Sequence, residues 1–118
     1  MKSIDVNLAV WKWEGIVLAG GTSADFKAFA KRHIDADIET GAHAAGHAYV
    51  EYGKPWLLWV ESLSDLPSLA HEALHVAAGV LEGRGCEYNK GSEEAFTYTM
   101  EHIIRATLAA KKWQKVVA

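Results

Sequence analysis

An α+β domain is what this sequence predicts, and three observations carry that expectation. The first 21 residues are rich in Val, Ile and Trp and end in a Gly pair, as strands do. Two further β-rich runs, HAYVEY and PWLLWVES, stand at mid-chain. Three other segments carry helix caps and one apolar face. At 118 residues the chain is the size of one domain, with no internal repeat and no low-complexity segment.

Taken in order, SIDVNLAVWKWEGIVLAGG reads as one or two strands, with a helix over 4–13 as the alternative. TSADFKAFAKRHI reads as a helix: Thr22 or Ser23 caps it, Asp25 sits in its first turn, and Phe26, Phe29 and Ala30 share a face. Residues 35–46 have no clear period and are expected to form a loop across the surface. HAYVEY and PWLLWVES, separated by GK, form a hairpin, with Pro55 at the start of its second strand. A second helix over SDLPSLAHEALHVAAGVLEG is capped by Ser64 or Asp65 and holds Pro67 in its first turn, where the missing N–H does least harm. Gly83 and Gly85 end it. After the polar connector GRGCEYNKGS, Ser92 is expected to cap a long terminal helix, EEAFTYTMEHIIRATLAAKKWQKVV. Its acids stand at the positive end of the dipole, and Lys111, Lys112 and Lys115 stand toward the negative end.

Composition removes several function classes. A net charge of −3 with scattered Lys and Arg offers no broad basic surface, so nucleic acid is not an expected partner. Cys86 is the single cysteine and cannot close an intramolecular disulfide. Asp5 stands where a signal peptide needs an apolar run, and PWLLWV is far too short to span a bilayer. The expectation is a cytoplasmic protein with no membrane role.

The chemistry concentrates in LAHEALHVAAGV, where His71, Glu72 and His75 spell H-E-x-x-H. On a helix, residues four apart lie on one face, so both imidazoles can reach one ion. Glu72, about 100° around from His71, can approach a metal-bound water as general base. Zinc lowers the pKa of such a water to about 7. By composition, a chance H-E-x-x-H is expected about once in forty such chains.

A catalytic zinc normally takes three protein ligands. The class that continues as H-E-x-x-H-x-x-G-x-x-H is excluded, because Ala78 and Leu81 hold the positions of its glycine and third histidine. A glutamate from the following helix is the remaining common solution, and that helix begins with Glu93 and Glu94. Read as HEALH-x18-E, with a hairpin before it and GSEEAFTYTMEHI after it, the stretch from about 46 to 105 resembles the gluzincin zinc metallopeptidases. Within that group it resembles the small single-domain versions, including those encoded in phage genomes.

The resemblance implies a minimal zincin-like fold in which a small twisted sheet backs the H-E-x-x-H helix and a C-terminal helix supplies a glutamate. It implies zinc held by His71, His75 and Glu94, and hydrolysis of a peptide or isopeptide bond with Glu72 as base. Tyr98, one turn beyond Glu94, would orient a ligand or donate a hydrogen bond to the tetrahedral intermediate. Larger gluzincins often place an acid there, and this sequence does not. The resemblance also implies an extended peptide or protein substrate, paired to an edge strand that is either HAYVEY or PWLLWV.

Plainer readings stand beside these. Leu69, Ala73, Leu74, Val76, Ala77 and Leu81 pack as the apolar residues of any amphipathic helix pack, and acids at a helix start favour the dipole without metal. His43 and His47 repeat the i, i+4 spacing, but in a loop and strand, where it loses its helical meaning. Cys86 reads as a buried thiol rather than a ligand, and most of the five tryptophans read as core and its edge. The alternative function is a non-catalytic, zinc-stabilised binding or accessory module, for which Glu72 would have no use as a base.

Overall fold

A five-stranded mixed sheet forms the middle layer of the computed structural model, which describes residues 1–41 and 43–117. Strands β1 (Lys2–Leu8) and β2 (Trp13–Ala19) make an antiparallel hairpin around a single 3₁₀ turn at Ala9–Trp11. The opening segment is therefore two strands, and the helical alternative over 4–13 does not form. Helix α1 (Ser23–Ile34) follows, with the Thr22 hydroxyl accepting from the Asp25 N–H (3.2 Å) and the Asp25 carboxylate accepting in return from the Thr22 N–H (2.8 Å). A coil then leads to β3 (Gly46–Tyr49) and β4 (Trp56–Val60), the expected hairpin. Helices α2 (Leu66–Gly83) and α3 (Glu93–Ala109) and a two-residue strand β5 (Gln114–Lys115) complete the chain.

The strand order β3-β4-β2-β1-β5 puts β4 and β2 at the centre, paired parallel to each other. This explains why WLLWV is apolar throughout. Successive side chains point to opposite faces, and helices cover both faces here. Trp56, Leu58 and Val60 join the core beneath α2 and α3, while Leu57 and Trp59 join Phe26, Phe29 and Ala30 of α1 on the other side. Trp59 stacks on Phe26 at 5.6 Å and donates its indole N–H to the Gly20 carbonyl (2.8 Å). The domain is thus α+β with one helix on one face and two on the other. β3, paired only to β4, is an edge.

The terminal helix is shorter than its sequence pattern predicts. It stops at Ala109, Ala110 turns extended, and Gln114 and Lys115 pair with Ser3 and Lys2 on the otherwise open edge of β1. Trp113 packs on one core cluster and Val116 on the other, burial that a continued helix would forgo. Lys111, Lys112 and Lys115 therefore lie beyond the helix. Ser92 stands at the N-cap position of α3, but its hydroxyl bonds back into the connector, to the Glu87 carbonyl (2.5 Å), and does not cap. Among the described residues, no helix is long and apolar enough to cross a membrane.

Candidate metal centre

Helix α2 carries the candidate centre. It starts where the Asp65 carboxylate accepts from the Ser68 N–H (3.2 Å) and hydroxyl (2.5 Å), with Pro67 in the first turn. These bonds hold the Asp65 carboxyl below its ordinary pKa, the Ser68 hydroxyl contributing most. Leu69, Ala73, Val76, Ala77 and Val80 form the buried stripe, and a helical step of about 100° per residue turns His71 and His75 to the exposed side, together with Leu74, which the sequence pattern assigns to the packed face. Their Nε2 atoms face each other at 3.1 Å.

Between these two faces, Glu72 points toward the sheet edge and is only 7% exposed. One donor atom from each of His71, Glu72 and His75 lies within 4.8 Å of the others. No ion pair engages Glu72 among the described residues. The carboxylate can sit there because residue 46, on β3, is glycine. A Cβ at that position would meet Glu72 Cγ at 2.9 Å and the Trp59 carbonyl at 3.0 Å. Gly79 serves two turns further along α2, where a Cβ would meet the Val50 side chain at 2.8 Å. These two missing side chains let α2 lie directly against the edge hairpin.

The residues fit a divalent ion. At zinc–nitrogen distances of about 2.0–2.1 Å, two nitrogens 3.1 Å apart subtend about 100° at the ion, near the tetrahedral angle. Imidazole and carboxylate donors suit zinc and several other divalent ions. The three side chains open into a cleft of about 650 Å³ walled by α2, by β3 and by the coil before it.

The structure brings His71, Glu72 and His75 together, and it does not bring Glu94 or Tyr98 to them. On α3 the buried residues are Phe96, Thr99, Ile103 and Thr107; Glu94, half a turn around from Ile103, points outward. Glu93 is exposed as well. Tyr98 is 64% exposed and lines a different cleft, with Val10, Trp11 and His102. No α3 residue lines the histidine cleft. The physical reason is the packing order. α2 covers the β3–β4 side of the sheet and α3 lies over β1, so the face of α3 near Tyr98 meets the β1–β2 turn, where Trp11 donates its indole N–H to Thr99 (3.0 Å).

His43 is exposed, and the His47 ring packs 5.7 Å from Phe26, on the α1 side of β3. Burial, more than any other influence, lowers the His47 pKa. The two histidines thus lie on a turn and on a strand, where a four-residue spacing does not place them on one helical face. Cys86 is half-buried against the α2–α3 core, as a structural thiol is. A second cleft, about 600 Å³, contains Arg84 and Lys54. Arg84 lies over the Trp13 ring at 4.8 Å and donates to the Trp11 and Lys12 carbonyls, while Lys54 pairs with Glu51 at 3.2 Å. Those cations are already engaged in holding the β1–β2 turn and the hairpin loop.

Sequence reasoning missed two contributors to the histidine cleft. Gly46 was legible only as a glycine beside a strand, and Glu39, on the coil, gave no signal at all. Comparison with family models, with curated proteins and with solved structures finds no match to this chain.

Proposed function

We propose that this protein is a zinc-dependent hydrolase of peptide or isopeptide bonds, with His71 and His75 holding the ion and Glu72 as general base. The observation that carries the proposal is the convergence of two imidazole Nε2 atoms, 3.1 Å apart, beside a buried carboxylate with no ion-pair partner among the described residues. A bound zinc ion would polarise the scissile carbonyl and acidify a water molecule. Glu72, fixed between α2 and Gly46, would hold the proton released by an attacking water and pass it to the departing amine. The outer edge of β3 presents backbone N–H and C=O groups beside the cleft, which suits an extended main chain. The edge position supports HAYVEY, rather than PWLLWV, as the strand that would meet substrate.

One observation favours a second reading. The Glu72 carboxylate is near enough to both imidazoles to serve as a ligand itself, which would make the centre a non-catalytic, stabilising one. Glu72→Gln separates the two. In the hydrolase, zinc measured on protein purified without chelator stays near stoichiometric in the variant, while cleavage of a peptide library disappears. In the stabilising module, the variant loses zinc and stability together, and the wild type cleaves nothing. Absence of zinc from the wild type refutes both.

A further inference from the structure

Two imidazoles and a base leave the centre one protein donor short of the usual three, and α3 does not supply it. We propose that Glu39 is the third metal ligand, delivered from the coil between α1 and β3. This rests on the reading that His71 and His75 bind a divalent ion.

The cleft itself narrows the choice. Its titratable side chains are Glu39, His47, His71, Glu72 and His75. His47 belongs to the α1 side of β3, against Phe26, and Glu72 is held under Gly46 as the base. Glu39 is the remaining donor on the lining of the cleft. Its neighbours are committed elsewhere: Asp35 and Asp37 both pair with Lys31, at 3.0 and 3.4 Å. Glu39 has no ion pair among the described residues.

The coil is fastened on both sides of the cleft mouth. Ile38 and Ala44 pack on the α1-side core, the Ala44 N–H donates to the Gly41 carbonyl (3.1 Å), and the Glu61 N–H donates to the Ala45 carbonyl (3.0 Å). Glu39 therefore starts beside an anchor, on the lining of the histidines' cleft. Its carboxylate lies outside the 4.8 Å cluster of donors, so coordination requires the side chain and its coil to move toward the histidines. The resulting donor set, two imidazoles and a carboxylate, leaves a fourth position open for water. It also makes the metal a tie between α2 and the segment that leads into the edge strand.

The test is titration of zinc against a chromophoric chelator, with wild type, Glu39→Gln, Glu94→Gln and, as an exposed control, Glu61→Gln. Circular dichroism checks that each variant is folded. Glu39→Gln should weaken zinc binding by at least about tenfold to a hundredfold, the range seen when even an outer partner of a ligand is removed. The other two variants should stay within about twofold of wild type. Hydrogen exchange supplies a readout independent of affinity: zinc should slow exchange of the coil amides near Glu39 in the wild type and not in Glu39→Gln. Wild-type affinity in Glu39→Gln, or weakening confined to Glu94→Gln, overturns the assignment and leaves the metal reading standing. If the wild type takes up no zinc, both fall together.

Discussion

Gly46→Ala tests whether the edge strand sets the position of the base. The new methyl carbon would lie 2.9 Å from Glu72 Cγ, 3.0 Å from the Trp59 carbonyl oxygen and 3.3 Å from Glu72 Oε2, where ordinary contacts run 3.4–4 Å. Trp59 belongs to the central strand and cannot retreat, so Glu72 and the turn of α2 that carries it must move by about half an ångström. Overpacking of this kind costs about 1–3 kcal/mol. Alanine also restricts the unfolded chain, which offsets about 0.4–1 kcal/mol. The net expectation is a loss of about 1–2 kcal/mol, or about 4–8 °C in Tm for a domain of this size.

The assay is urea denaturation of Gly46→Ala, Glu72→Ala and the double variant. Truncating Glu72 removes the atoms the methyl would strike, so the double variant should recover about 1 kcal/mol relative to the sum of the singles. Peptide cleavage, if present in the wild type, should fall steeply in Gly46→Ala while zinc remains bound by His71 and His75. Strict additivity of the two stability changes, or a Gly46→Ala protein as stable and active as wild type, would refute the placement of Glu72 under the strand.

Zinc at about one hundred times its Kd should stabilise the wild type by about 2.7 kcal/mol, or about 10 °C in a thermal melt, and His71→Ala or His75→Ala should abolish the shift; equal shifts in wild type and variants would remove the histidines from the site. Trp59→Ala, which empties a fully buried position stacked on Phe26 and strands the Gly20 carbonyl, should cost about 3–5 kcal/mol in urea denaturation. A cost under about 1 kcal/mol would contradict the packing of α1 on the sheet. The Asp65 carboxyl, held below its ordinary 3.8 by Ser68, contributes stability that is present above that value and is lost as pH falls through its lower folded-state pKa. Stability measured from pH 5 downward should therefore decline less steeply in Asp65→Asn, and identical slopes would show that the cap carries no linked proton.

The sequence by itself determined the elements and the pair of histidines, because those are local properties. A capping side chain three residues from its target, an apolar stripe every three to four residues and two imidazoles four apart are all fixed by the geometry of a single helix. Alternation and β-branched content likewise located the strands of the opening segment and the mid-chain hairpin. The tertiary structure alone decided everything that depends on how elements lie side by side. It chose β3 as the edge and β4 as the centre, which no local pattern distinguishes. It ended α3 at Ala109, because pairing at the β1 edge and burial of Trp113 and Val116 outweighed helical propensity. It turned Glu94 and Tyr98 away from the histidines, since the phase of α3 is set by burying Phe96 and Ile103, and its position by the surface of β1. It also brought Gly46 and Glu39 to the site from 25 and 32 residues before His71. Contacts across such separations are made by packing, and a linear pattern holds no record of them.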